Sequence, residues 1–224
     1  MLSSLRDNLT FFRNFRKRFE TTGSIVPSSQ SLARSMTRFL AQRGDGPVRV
    51  LEIGPGTGPV TRRIVTHLRP GDVFDLVELN EEFAGILQRK FETEPTWKAV
   101  AELSTVHQVP LQEYAPAEGY DFIISGLPMA NFPAEMVEEL SDKYFEVIKP
   151  EGVLSYFEYM YVRPVRKVIT AGAARTRITR IDDIMNGHIE QRRIARDNVF
   201  VNVPPAWVQH LRGTATESAT ADSR

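Results

Sequence analysis

A mostly parallel, seven-stranded α/β sheet with helices on both faces is the fold the sequence predicts, and three observations predict it. From Val48 to Tyr159, short apolar runs alternate with amphipathic stretches of helical spacing, the rhythm of strands linked by crossover helices. The first run, Val50-Leu51-Glu52-Ile53, breaks into Gly54-Pro55-Gly56-Thr57-Gly58. Glycine at alternate positions lets the backbone turn sharply and approach a ligand without Cβ interference. The next run ends in Glu78, about 20 residues further on, the spacing at which a carboxylate receives ribose hydroxyls.

Residues 1–20 differ from the rest. Leu2, Leu5, Leu9, Phe12, Phe15 and Phe19 recur every three or four positions, interleaved with Arg6, Arg13, Arg16, Lys17 and Arg18. That pattern predicts an amphipathic helix suited to a lipid interface. Residues 21–46 read as a loop and a helix capped by Ser28 or Ser29, ending at Gly44-Asp45-Gly46, since serine favours the N-cap. The main domain spans 47–212. Strands are expected over Val48–Ile53, Val73–Glu78, Thr105–Val109, Asp121–Ser125 and Gly152–Tyr159, with two more between Ile189 and Leu211. Helices are expected over Val60–Leu68, Glu81–Phe91 and about Pro133–Ile148, with a basic helical region from about Pro164. Residues 213–224, small and polar, are expected to be disordered.

Composition narrows the chemistry. The 224 residues hold 28 Lys plus Arg against 28 Asp plus Glu, so no broad positive field points to a polyanion. Cysteine is absent, which excludes thiol nucleophiles and cysteine-ligated metals. The four histidines, His67, His107, His188 and His210, lack metal-ligand spacing, and no metal is expected. No apolar run reaches the ~20 residues of a membrane span, and the first residues lack a signal-peptide pattern. The expected location is cytoplasmic, peripheral on the inner face of the membrane.

The stretch Leu51-Glu52-Ile53-Gly54-Pro55-Gly56-Thr57-Gly58, with Glu78 closing the next strand, resembles the S-adenosylmethionine site of the class I, Rossmann-like methyltransferases. The resemblance implies that Gly54, Pro55, Gly56, Thr57 and Gly58 wrap the amino-acid end of the cofactor. It also implies that Glu52 orients the ammonium and that Glu78, beside Leu79, holds the ribose. An acidic adenine partner is missing after the third strand, which leaves Gln108 or backbone near Val109. Ser125, Gly126 and Leu127 would lie beside the methyl group.

The substrate side carries three further features. These are Gly23-Ser24-Ile25-Val26-Pro27-Ser28-Ser29, Ser125-Gly126-Leu127-Pro128 and the cationic amphipathic start. Together they resemble the bacterial phospholipid N-methyltransferases, which convert phosphatidylethanolamine toward phosphatidylcholine, and the related ornithine-lipid N-methyltransferases. The correspondence runs from about Gly23 through Pro205. It implies in-line methyl transfer to a neutral headgroup amine, with membrane aminolipids and an anionic membrane surface as partners. Neither nucleic acid nor an obligate protein partner is expected.

A more distant similarity to rRNA adenine methyltransferases supplies the alternative. Such enzymes read a flipped base with Asn-Leu-Pro and a stacking aromatic, whereas Gly126 and Met129 occupy those positions here. An adaptor that binds cofactor without catalysis is a third reading. For an amine that becomes more cationic with each transfer, aromatic faces are suitable walls. The residues proposed for catalysis are Tyr156 and Tyr159, with Glu158, a carboxylate at a strand's C-terminal end, as ammonium anchor or proton acceptor. Ser24, Ser28, Ser29, Met129, Phe132, Tyr161 and Arg163 are proposed for substrate, with Arg166 and Lys167 as further anion holders.

Overall fold

The computed structural model describes residues 27–160, 173–202 and 204–214. The predicted helix of residues 1–20, together with Ser24, Tyr161, Arg163, Arg166 and Lys167, lies outside the described residues. So do the side chains of Ser28 and Ser29 and the chain beyond Thr214.

The sheet has seven strands in the order β3-β2-β1-β4-β5-β7-β6. They are β1 Arg49–Ile53, β2 Val73–Val77, β3 Ser104–His107, β4 Tyr120–Ser125, β5 Ile148–Tyr159, β6 Arg193–Val199 and β7 Ala206–Arg212. The first five are mutually parallel, while β7 runs antiparallel to both β5 and β6. Buried apolar positions on both faces of β1 and β2 are what a sheet covered on two sides requires.

One face is covered by α1 (Pro27–Met36), α2 (Arg38–Ala41), α3 (Thr61–Ile64), α4 (Glu81–Thr93) and α5 (Pro95–Lys98). Met36, Leu40, Ile64, Leu87 and Trp97 meet Val50, Phe74, Leu76 and Val208 there. The other face is covered by α6 (Ala134–Val147) and α7 (Ala173–Arg192), where Val137, Leu140, Tyr144, Ile181 and Met185 meet Ile53, Ile123, Leu154 and Tyr156. Helix α4 shows how local sequence sets these elements. The Asn80 side chain accepts a hydrogen bond from the Phe83 amide, Glu81 and Glu82 occupy the first turn, and Phe83, Leu87 and Phe91 form the buried stripe. Pro95 then holds Glu94 extended and starts α5.

Helices α1 and α2 are pinned to the sheet by polar contacts. The Ser35 hydroxyl donates to Asp197 at 2.8 Å, and Arg38 pairs with the same carboxylate. Asp197 also lies 3.3 Å from His210 Nε2, whose Nδ1 is 2.8 Å from Ser155 Oγ. One chain of contacts thus crosses β5, β7 and β6 beneath these helices.

Four boundaries differ from expectation. Ser28 and Ser29 fall within α1 rather than before it, so neither is the predicted cap. The helix over Val60–Leu68 shortens to α3, followed by turns. The apolar run at Ile189 is the end of α7, where Ile189 packs in the core, and β6 starts at Arg193. Gly213 and Thr214, assigned to the tail by composition, donate backbone hydrogen bonds to Gly152 and Pro150.

Candidate active site

Two adjoining features occupy the carboxyl end of the parallel strands, the edge where open α/β sheets bind ligands. The first is the glycine turn. Gly54, Gly56 and Gly58 have φ of 65°, 62° and 87°, backbone that side-chain-bearing residues rarely adopt. A Cβ on Gly54 would meet Leu127 Cδ2 at 2.6 Å, and one on Gly58 would meet Trp97 Cη2 at 2.6 Å. The turn is tied down by Gly54 N donating to the Val77 carbonyl at 2.9 Å and by Lys90 Nζ donating to the Thr57 carbonyl at 2.9 Å.

Two buried carboxylates flank this turn. Glu52, 2% exposed, accepts from the Thr61 hydroxyl at 2.6 Å. Glu78, 3% exposed, accepts from Gly56 N and from Asn80 N, each at 2.9 Å. Each carboxylate oxygen offers two lone pairs, so holding the loop does not exclude accepting from a ligand hydroxyl. Leu79 is half-buried beside Glu78. Gln108 is exposed just past β3, and Val109 packs against the core. His107 links them to Glu78, because its carbonyl accepts the Glu78 amide at 3.1 Å.

These residues fit the cofactor the sequence suggests. The turn takes up positive-φ backbone that only glycine adopts readily, and the buried carboxylates of Glu52 and Glu78 lie against it. Among the sequence-proposed cofactor residues, Glu52, Gly54 to Gly58, Glu78, Leu79, Gln108 and Val109 form one continuous rim along β1, β2 and β3.

Ser125 and Leu127 turn inward instead. Ser125 Oγ is 2.7 Å from the Tyr144 hydroxyl, and it accepts the Leu127 amide at 3.3 Å. The Leu127 side chain is core, 5% exposed. Gly126 holds the β4 end against β1, its amide donating to the Ile53 carbonyl at 2.8 Å. A Cβ there would lie 2.7 Å from the Gly54 carbonyl oxygen. The missing side chain is therefore no opening for substrate, because the glycine turn itself fills that space.

The second feature is a cleft beside the end of β5. It is lined by Pro128, Met129, Ala130, Asn131, Phe157, Glu158, Tyr159, Ile181 and Met185. Its walls are largely apolar, with a carboxylate and a phenol among them. Burial pushes the Tyr159 hydroxyl up to about 12, so Tyr159 is a neutral phenol near pH 7 and cannot serve there as a phenolate base. The structure separates the strand-end aromatics. Tyr156 is 1% exposed inside the core, Glu158 and Tyr159 line the cleft, and Phe157 meets Tyr159 ring to ring at 5.2 Å. Phe132, with 0% exposure, packs in the core, whereas Met129 reaches both core and cleft.

Sequence reasoning missed several participants. Thr61 and Asn80 hold the two carboxylates, and the Asn80 cap was legible in the Asn-Glu-Glu helix start. Tyr144 anchors Ser125 from α6. Ile181 and Met185 line the cleft from α7, and their four-residue spacing in a polar helix is the available signal.

Two solved structures are similar to this architecture. The N-methyltransferase NodS from Bradyrhizobium japonicum, in complex with S-adenosyl-L-homocysteine, matches with a TM-score of 0.60 at 14% identity, over 84% of this chain and 89% of that one. An O-methyltransferase from Bacillus cereus, also in complex with S-adenosyl-L-homocysteine, matches with a TM-score of 0.60 at 14% identity, over 91% of this chain and 89% of that one. The fold is that of the class I S-adenosylmethionine-dependent methyltransferases. Within this methyltransferase sheet, the glycine turn follows β1 and the cleft follows β4 and β5. The chain is also similar to the ornithine lipid N-methyltransferase of Singulisphaera acidiphila, 29% identical over 157 residues that cover 70% of this chain and 80% of that protein. No protein-family model matches the chain. Among the described residues, no helix is long and apolar enough to cross a membrane.

Proposed function

We propose that this methyltransferase transfers methyl groups from S-adenosylmethionine to the headgroup amine of a membrane aminolipid, phosphatidylethanolamine or ornithine lipid. The observation that carries the reading is the cleft beside β5, apolar but for Glu158, Tyr159 and Asn131 among its named walls. The sequence similarity to an ornithine lipid N-methyltransferase supports it.

S-adenosylmethionine supplies an electrophilic methyl on a sulfonium. Glu52, Glu78 and the turn from Gly54 to Gly58 would hold it. The chain's remaining task is to receive an amine, strip its water and keep it oriented. Glu158 attracts the incoming ammonium and accepts its proton as it becomes the neutral nucleophile. Met129, Ile181 and Met185 exclude water, and the faces of Phe157 and Tyr159 suit a nitrogen that grows bulkier and more cationic.

Base methylation is the weaker reading. The position that would carry a base-reading Asn is filled to within 2.7 Å by the Gly54 carbonyl, and Met129 is no stacking platform. The test is labelled methyl transfer from S-adenosylmethionine, offered with aminolipid vesicles and separately with rRNA. Label in lipid alone supports the proposal. Label in rRNA supports the alternative, and bound cofactor without transfer to either supports the adaptor.

A further inference from the structure

We propose that the turn joining β6 to β7 is a membrane-contacting tip, with Phe200 and Val201 entering the interface of the lipid surface that holds the substrate. This inference rests on the lipid-amine reading of the cleft. Phe200 is 68% exposed and Val201 66%, and among the described residues they are the large apolar side chains most open to solvent.

The turn is anchored beneath them. Asn202 is buried, and its Nδ2 donates to the Pro204 carbonyl at 2.7 Å. Met160 N donates to the Pro205 carbonyl at 2.8 Å, tying the turn to the end of β5. Phe200 and Val201 are thus presented outward by a held backbone.

Topology places this tip on the functional edge. Because β7 runs antiparallel to β5, Ala206 pairs with Tyr159, and Val199 pairs with Ala206 in turn. The tip therefore lies at the same edge of the sheet as the cleft. Trp207 is paired with Glu158 across the strands, and paired residues share a face. The Arg196 guanidinium lies 5.3 Å from the centre of the Trp207 ring. The half-buried Trp207 stands directly behind the Val199–Ala206 pair that leads into the tip, and the exposed Arg196 lies further back along β6. Tryptophan and arginine favour the headgroup level, and Phe and Val favour the acyl boundary below it.

A lipid surface suits this patch better than a folded partner. A stable protein interface buries about 800 Å² per side, far more than two side chains offer. A shallow insertion needs only a few apolar groups backed by a basic one. A substrate whose acyl chains stay in the bilayer also requires the cleft mouth to be brought level with the headgroups.

The experiment uses the full chain, native and with Phe200→Ser and Val201→Ser together, so residues 1–20 are common to both. Co-sedimentation with vesicles of phosphatidylethanolamine and phosphatidylglycerol should fall by about tenfold or more in the double variant. Turnover on those vesicles should fall with it. Turnover of a short-chain, monomeric phosphatidylethanolamine and binding of S-adenosylhomocysteine should stay native. Native vesicle binding by the variant overturns the proposal. So does equal loss on vesicles and on the monomeric lipid, which makes the turn structural. A change from dimer to monomer in sedimentation velocity makes the tip a self-association surface and also overturns it. If the native protein methylates neither lipid, the lipid-amine reading fails, while the vesicle-binding difference still decides the tip.

Discussion

The carbonyl oxygen of Gly54 lies 2.7 Å from the point where a side chain on Gly126 would begin. Two loops distant in sequence meet there, one from β1 and one from β4, and the Gly126 amide bonds to Ile53 beside them. The contact joins the glycine turn to the end of β4, just before Pro128 in the cleft wall.

Gly126→Ala forces a carbon against backbone that cannot swing aside, because Gly54 N is held by Val77. Overpacking of this kind costs about 1–3 kcal/mol. The distortion falls on the turn, so S-adenosylhomocysteine affinity should weaken by about tenfold. Titration calorimetry and a thermal melt measure both. Native affinity in the alanine variant would mean that the close approach has no role in shaping the turn.

Glu78→Ala removes the acceptor for Gly56 N and Asn80 N. Buried amides left without partners cost about 1–3 kcal/mol each. Cofactor affinity should fall further than in Gly126→Ala, since the variant loses the loop anchor and, on the proposed reading, the ribose acceptor as well. Calorimetry showing unchanged affinity would remove Glu78 from the site.

His210 gives a pH signature. Burial lowers its pKa below the usual 6.5, the Asp197 contacts pull it partly back up, and Arg38 lowers it again. The unfolded chain therefore takes up this proton first. Stability from the neutral ring is complete above about pH 6.5 and declines as pH falls from there through the depressed folded value. His67 and His188, also lowered chiefly by burial, act in the same direction. The urea midpoint should drop between about pH 7 and pH 5, and His210→Gln should show a shallower drop. A flat native profile would contradict the buried neutral ring.

Glu158→Gln tests the ammonium anchor. Loss of a hydrogen bond to a charged group should lower aminolipid turnover by at least about tenfold, with S-adenosylhomocysteine binding unchanged. Equal turnover would assign proton acceptance to another group.

The glycine turn and the two carboxylates beside it were legible because strand ends set them, which is a local pattern. The cleft beside β5 was not, because it is assembled by packing. Strand alternation puts Tyr156 and Glu158 on one face, yet Tyr156 is buried in the core under α6 and α7 while Glu158, at the strand end, lines the cleft. Helix α7 contributes Ile181 and Met185 from a stretch whose charges disguise its apolar stripe. In sequence, Gly126 shows only that a base-reading Asn is missing, whereas the fold shows that the place of its side chain is filled by another loop's carbonyl.

The central claim is methyl transfer to a lipid amine, and lipid mass spectrometry of a bacterial host expressing the chain tests it most directly. New aminolipid species heavier by whole methyl increments, lost with Glu78→Ala, are the predicted result. An unchanged lipid profile, with the protein folded and S-adenosylmethionine bound, would contradict it.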